Sequence, residues 1–409
     1  MQERSEYYES AHAAVEIKYE EGRGRYAVAG QDIELGTVLF REKPLTQTLN
    51  PEKFGTHCQH CFKPIRGVIP CEKCTWVCYC STECRQIANE TYHQYECGII
   101  NILLQSGFNV YAYMALRLVT KEGLENLLKL KDDLENNRSE KSGENERNFY
   151  SSRDFRNAYN LMAHEDSISD DLWLLKGIGN AQLFYVKMEL KLTFTLKVSV
   201  FLLKCLQQTE YFASLQKSKE NPDLHEDELF VGKVLFRLLN VMPTNVHDIS
   251  DFETPVLDTF VPRCNKVSLG AGLYPCLALV NHSCDPSFMR CNKGNEVICV
   301  ASKKIYKGEE ISENYGLMFT VKDFKARQEI LNDHYKFECI CKACLENWPL
   351  LDSMKADKIN DPSDSTMDRF LGKKKNRENL FTNILAVQIS IQFDDFFFNS
   401  SFALLRFQT

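Results

Sequence analysis

Hydrophobic and polar positions change their rhythm several times along this chain. Residues 13–42, AAVEIKYEEGRGRYAVAGQDIELGTVLFRE, are short β-branched and aromatic runs separated by Gly22, Gly24, Gly30 and Gly36. That pattern predicts short antiparallel strands joined by tight turns. Residues 98–131 and 155–240 carry leucine-rich stretches at helical spacing, around Leu172 to Leu175 and in FLLKCL at 201–206. Between them, KDDLENNRSEKSGENERN at 131–148 has the composition of a solvated loop. A second strand-rich block runs from about 260 to 316, where EVICVASKKIYKGEEI alternates and turns at Lys307-Gly308. The stretch from 350 onward is polar and then apolar, ILAVQISIQFDDFFFNSSFALLRF, and fits no regular pattern. No internal repeat of fixed period is present.

The segment 58–97 has little periodicity but a dense set of cysteines in the order Cys58-x2-Cys61, Cys71-x2-Cys74, Cys80-x3-Cys84 and His93-x3-Cys97. Two-residue spacing lets a tight knuckle aim two thiolates at one tetrahedral ion, and residues four apart share one helical face. Eight ligands make two zinc sites, and the packing favours interleaving: Cys58, Cys61, Cys80 and Cys84 on one ion, Cys71, Cys74, His93 and Cys97 on the other. So short a segment buries little surface, so the metal supplies most of its folding free energy. The bland alternative is a set of buried thiols. Cys78 is spare, and His57 and His60 read as bystanders. A further triplet, Cys339-x-Cys341-x2-Cys344, needs a fourth ligand, and Cys284 in VNHSCDPS is the natural donor. The expectation is therefore three zinc ions. Cys205, Cys264, Cys276, Cys291 and Cys299 sit in apolar contexts and read as small core residues.

Composition excludes several classes. With 44% hydrophobic and 26% charged residues, the chain of 409 residues is neither disordered nor fibrous, and its length suggests two or three domains. The net charge of -7 offers no global field for nucleic acid. Within 58–97, Lys63, Arg66, Lys73 and Arg85 are matched by Glu72, Glu83, Glu90 and Glu96, so direct nucleic-acid binding is not expected. The start, MQERSEYYES, is too polar for a signal peptide. The apolar runs at 192–206 and 384–407 are interrupted by Lys197, Lys204, Asp394 and Asp395, so no membrane span is expected. The chain reads as an intracellular soluble monomer, cytoplasmic and nuclear.

Taken together these motifs resemble the SET and MYND domain family of protein-lysine methyltransferases. Residues 58–97, with YCS at 79–81, resemble the MYND zinc finger. GRGRYAVAGQDIELGTVL resembles the opening SET strands, GLYPCLALVNHSCDPS the segment around the N-H-S-C signature, GEEISENYG the strand ending in the SET tyrosine, and YKFECICKAC the post-SET zinc motif. ENYG and CLENWP lean toward the branch that carries tetratricopeptide repeats. The implied fold is α+β: a split SET β-fold (11–57 and 251–335), an inserted MYND finger (58–97), a helical linker and SET insertion (98–250), a post-SET zinc motif (336–349) and an irregular region (350–409). The implied cofactor is S-adenosylmethionine, and the implied substrate is a protein with an accessible lysine. By position, Glu21, Gly22, Arg23 and His164 would line the cofactor's amino-acid end, and Asn281 and His282 would contact it through backbone and amide groups. Tyr335, Lys336 and Phe337 would flank the adenine and the lysine channel, and Tyr315 would stand at the methyl-transfer point. Three positions depart from the family. Glu21 replaces a lysine of several relatives, opposing the cofactor carboxylate. Ser287 replaces an asparagine in N-H-S-C-x-P-N, which is expected to loosen that turn. His247 stands where some relatives have a channel phenylalanine.

Methyl transfer to an amine is an in-line displacement, so positioning supplies most of the acceleration. A lysine ammonium must first lose its proton, which a dry aromatic channel beside a sulfonium favours. Tyr315 and Tyr335 suit the wall of such a channel, with a phenol oxygen aiming the amine; on that reading no potent base is required. The plain reading of each tyrosine is a core aromatic whose hydroxyl finds a backbone partner. The plain reading of Asn281 and His282 is a capped turn and a satisfied core histidine, which is compatible with the functional one. Against the enzyme stands a scaffold with a weak or inactive SET site, whose finger recruits a proline-rich peptide or a corepressor.

Overall fold

The computed structural model describes residues 4–106, 109–136, 149–163, 194–215, 225–253 and 265–350. The first glycine-punctuated stretch forms a hairpin of β1 (Val15–Glu20) and β2 (Gly24–Ala29), paired from Val15↔Ala29 to Glu20↔Gly24. Its turn needs Gly22 and Gly24, at φ 82° and 77°, a region that side chains with a Cβ rarely enter. Then come β3 (Val38–Glu42), β4 (Thr46–Leu49) and a two-residue ribbon, β5 (Ile69–Pro70) with β6 (Cys78–Tyr79). Strands resume with β7 (Val246–Glu253), β8 (Asn265–Leu273), β9 (Phe288–Lys293), β10 (Glu296–Ala301) and β11 (Glu310–Ile311). The three larger sheets run β1-β2-β11, β3-β10-β9 and β4-β8-β7. Each joins strands from before Asn50 to strands from after Asn245, so the chain between them leaves the sheets and returns.

That excursion carries α1 (Thr82–Ala88), α2 (Val110–Glu122), α3 (Phe194–Gln207) and α4 (Glu226–Asn245); α5 (Phe324–Tyr335) follows the last strand. Asn109 caps α2 through Ala112 N–H, and a capping box of His225 and Glu228 opens α4. Leu116, Leu202, Leu235, Leu238 and Met242 bury the apolar stripes of α2, α3 and α4 in one core with Leu273 of β8. Leu39, Phe40, Val297, Cys299 and Ile311 form a second core between the sheets. Among the described residues no helix is long and apolar enough to cross a membrane.

Two stretches depart from the sequence pattern. Lys131–Asn136, expected in a loop, is a helix: Leu134 is buried in the helical core, and Asp132 and Asp133 lie in the first turn, where carboxylates favour the helix dipole. Residues 246–250, expected to belong to a helical linker, fall instead in strand β7. Leu172 to Leu175, Cys264, His164, most of the 131–148 stretch and the region from 351 lie outside the described residues.

A buried ion pair ties the cysteine-rich segment to the body. Arg117 of α2 grips Glu96 through both carboxylate oxygens at 2.8 and 2.6 Å, donates to the Gln47 carbonyl of β4 at 2.8 Å, and stacks 4.3 Å over the Tyr92 ring. Breaking one half of such a pair leaves an uncompensated charge. Arg117→Met should therefore lower stability by about 3–5 kcal/mol in denaturant unfolding, whereas Arg117→Met with Glu96→Leu should cost distinctly less. Equal losses would show that the charge is not the source of the effect.

Candidate active site and metal centres

Three sets of four donors converge: Cys58, Cys61, Cys80 and Cys84; Cys71, Cys74, His93 and Cys97; and Cys284, Cys339, Cys341 and Cys344. Within each set all donor atoms lie within 4.8 Å of one another, so each could hold a metal ion. Sulfur separations of 3.5 Å (Cys61 to Cys80), 3.7 Å (Cys80 to Cys84), 3.8 Å (Cys71 to Cys97) and 3.5 Å (Cys284 to Cys344) are close to the tetrahedral edge of about 3.8 Å that Zn–S bonds of about 2.3 Å impose. His93 brings Nε2 to 3.3 Å from Cys71 Sγ and 3.5 Å from Cys74 Sγ. Ser81 caps α1 by accepting from Cys84 N–H at 3.1 Å, which fixes Cys84 beside Cys80. Cys78, His57 and His60 stand outside the sets; the His60 ring stacks on Tyr92 instead.

The third set carries a partner that spacing could not announce. Arg327 of α5 is fully buried and directs Nε at Cys284 Sγ (3.2 Å) and Nη2 at Cys344 Sγ (3.7 Å), with Nη1 donating to the Lys322 carbonyl. A guanidinium there offsets the negative charge of a thiolate cage.

Around this set the aromatic residues gather. Glu42 of β3 accepts from Cys276 and Leu277 N–H at 3.0 and 2.9 Å, fixing the turn that leads into Asn281. Burial nonetheless pushes the Glu42 carboxyl up to about 8, against those two donors. Asn281 accepts Glu313 N–H through its carbonyl, and Ser283 N–H donates to the Glu313 carbonyl, so the two segments are clamped together. His282 is buried with both ring nitrogens engaged: Nδ1 accepts Tyr315 N–H at 3.1 Å, which leaves Nε2–H to donate to Cys284 Sγ at 3.4 Å. Burial lowers its pKa to about 4 and keeps the ring neutral. Tyr315 lies 5.1 Å from His282 and 4.9 Å from Tyr335, and Phe337 closes the group at 6.2 Å from His282. The Tyr315 hydroxyl donates to the Val280 carbonyl at 2.9 Å, so its oxygen offers only lone pairs to anything bound beside it. Lys336, at φ 59°, is the left-handed end of α5; its own side chain is exposed, and the bend brings the Tyr335 and Phe337 rings to 6.5 Å from each other. Asn314, unnoticed in the sequence, ties the turn by accepting from Gly316 and Leu317 N–H and donating to the Ser283 carbonyl.

The structure does not bring every expected residue into that group. Glu21 and Gly22 lie in the exposed β1–β2 turn, and Arg23 is engaged by Glu310 and Glu20 and lies 4.3 Å over the Tyr26 ring. The expectation of a loosened turn at Ser287 is overturned: its buried hydroxyl donates to the Glu310 carbonyl at 3.1 Å, accepts Ser312 N–H and meets Ser312 Oγ, so a short side chain binds the turn from within.

His247 is not an apolar wall. Its Nε2 lies 3.1 Å from Glu313 Oε2, while Arg290 of β9 engages Glu313 Oε1. Burial works against the charge on Glu313, but His247 and Arg290 outweigh it and hold the carboxyl below its ordinary value. A depressed folded-state pKa contributes stability that is complete above the unfolded value of about 4.3 and is lost as pH falls through the folded one. Glu313→Gln should accordingly unfold more easily than wild type at pH about 7. Thermal scans should show the gap between the two closing toward pH about 3, and a gap independent of pH would contradict the assignment.

The SET domain family pattern matches residues 24–316, and the chain belongs to that family. It is 26% identical over 394 residues to the protein-lysine N-methyltransferase SMYD4 of Pongo abelii, covering 84% of this chain and 48% of that protein. It is 25% identical over 344 residues to the N-lysine methyltransferase SMYD2-B of Xenopus laevis, covering 83% and 63%. The chain thus spans about half the length of the SMYD4 relatives it matches. The resemblance to SET and MYND domain-containing proteins therefore extends over most of the chain. A crystal structure of the SET domain of LSMT bound to lysine and AdoHcy aligns over 80% of this chain and 53% of that one at 12% identity, with a TM-score of 0.31, too low a likeness to argue from.

Proposed function

We propose that this chain is an S-adenosylmethionine-dependent protein-lysine methyltransferase. What supports the reading most is the cluster of tilted rings Tyr315, Tyr335, His282 and Phe337, built on the N-H-S-C segment of a SET family chain. S-adenosylmethionine, when bound, supplies an electrophilic methyl group. Toward it this chain offers the Asn281 side-chain amide and the rings of Tyr335 and Phe337 with Lys336 between them, and, from the separate exposed β1–β2 turn, the backbone around Gly22 and Arg23. Glu21, in an exposed turn, would face solvent rather than the cofactor carboxylate. His282 acts by holding Tyr315 rather than by touching the cofactor with its ring. The tyrosine pair would confine a lysine side chain, and the Tyr315 oxygen would accept a C–H···O or N–H···O contact there.

The finer architecture belongs to the same proposal: SET halves at 11–57 and 251–335, a MYND finger at 58–97 inserted between them, helices to residue 250, and a post-SET motif at 336–349, with one zinc ion in each donor set. So do a cytoplasmic and nuclear location and a monomeric state. A recruiting role for the finger gains support from Trp76 and Val68, 50% and 62% exposed; an apolar, proline-rich peptide or corepressor would suit them. Titrating the purified chain with S-adenosylmethionine, then following labelled methyl groups into cell-extract protein, separates the two. Saturable binding with label on lysine supports the enzyme, and binding without any label supports the scaffold.

A further inference from the structure

Glu42 closes β3 as a buried carboxyl, 1% exposed, and among the described residues no basic side chain pairs with it. Burying such a group costs free energy that an apolar residue in its place would not. What the carboxyl gains is two contacts, from Cys276 N–H at 3.0 Å and from Leu277 N–H at 2.9 Å. Both amides stand at the start of the single 3-10 turn Leu277–Leu279, and Cys276 offers that turn no side-chain cap of its own. Either protonation state of Glu42 serves, because the hydroxyl oxygen of a neutral acid keeps a lone pair with which to accept. The far end of the turn reaches the aromatic group. The Leu277 carbonyl accepts Val280 N–H at 3.0 Å, and the Val280 carbonyl accepts the Tyr315 hydroxyl at 2.9 Å. Two residues on, His282 Nδ1 accepts Tyr315 N–H at 3.1 Å. Tyr315 is therefore hung by its ring oxygen and by its backbone on residues 280–282. Hydrogen bonds run without a gap from Glu42 to Leu277, from Leu277 to Val280 and from Val280 to the phenol.

Resting on the methyltransferase reading, we propose that Glu42 is a positioning residue for methyl transfer. By anchoring the amides of Cys276 and Leu277 it sets the place of the Val280 carbonyl, and through that carbonyl the direction in which the Tyr315 oxygen presents its lone pairs to the substrate amine. Glu42 touches neither substrate nor cofactor. Its effect on rate comes from the sensitivity of an in-line transfer to displacement, where a shift of about 1 Å can cost about 10²-fold. Glutamine is the informative replacement. It has nearly the same shape, but its amide nitrogen only donates, so one of the two backbone N–H groups would face another donor. The turn must then shift or leave that N–H bare.

The test uses the full chain, methyl-labelled S-adenosylmethionine and a degenerate peptide library with a central lysine. In Glu42→Gln, kcat should fall by about 10-fold, while S-adenosylmethionine affinity, read by calorimetry, stays within about threefold. In a Tyr315→Phe background no phenol oxygen is left to place, so the same substitution should cost no more than about twofold. In a readout free of turnover, the chain carries tyrosine labelled with 13C at Cζ and is loaded with S-adenosylhomocysteine. The Tyr315 signal, identified by its loss in Tyr315→Phe, should move in Glu42→Gln because the hydrogen bond of the phenol changes. Glu42→Asp keeps two acceptors but draws them back by a methylene, and it should show the same three effects. Equal losses with and without the Tyr315 hydroxyl, an unchanged kcat, an unmoved Tyr315 signal, or failure of both Glu42 variants to fold would mark a residue that only holds the fold. Any of these overturns the proposal and leaves the methyltransferase reading intact. A wild type that binds cofactor but labels no lysine overturns both.

Discussion

Stripping metal from the protein should unfold residues 58–97 while much of the helical core persists. The finger has only a two-residue ribbon and short helical turns, whereas its eight donors are already gathered in two sets. Structural zinc contributes apparent free energies of about 10–16 kcal/mol, more than so small a segment gains from burial. Elemental analysis should give three zinc ions per chain. Cys341→Ser should give two, with weakened cofactor binding, because Cys284 is bonded to His282, and His282 holds Tyr315. In that variant Arg327 still faces Cys284 and Cys344, but without a metal ion to hold them as thiolates its charge is less well offset, adding to the instability of α5. Fewer than three ions in well-folded wild type, or three in Cys341→Ser, would refute the ligand assignment.

Tyr315→Phe should lower kcat by about 10- to 10³-fold with little change in S-adenosylmethionine affinity. The substitution keeps the ring against His282 and Tyr335 and removes only the oxygen. It also deprives the Val280 carbonyl of its donor, so stability should drop by about 1 kcal/mol. A drop of several kcal/mol with activity falling in proportion would identify a core tyrosine instead. Stopped-flow turnover with parallel calorimetric unfolding distinguishes the outcomes.

The three converging sets of Cys and His donors were legible because ligand chemistry writes itself into spacing: two- and three-residue gaps survive any ambiguity of secondary structure. Even the distant fourth donor, Cys284, stood out as a cysteine without an apolar setting. Strand β7 was hidden for the opposite reason. His247 occupies an inward position where an apolar residue would have shown the alternation, and its partner Glu313, which Arg290 also engages, is far away in sequence. Lys131–Asn136 reads as a loop until Leu134 is seen packed on other helices. Arg327, Glu42 and Asn314 likewise act through contacts that no local period encodes. The tyrosines were found by resemblance, while the commitment of the Tyr315 proton to Val280 needed the folded geometry.

The most direct test of the account is transfer itself. Purified, zinc-loaded chain is incubated with methyl-labelled S-adenosylmethionine and cell extract, and the label is located by mass spectrometry. Label on lysine side chains, greatly reduced with Tyr315→Phe, is the result the account predicts. Saturable cofactor binding with no label on any lysine, in wild type holding all three zinc ions, would contradict it.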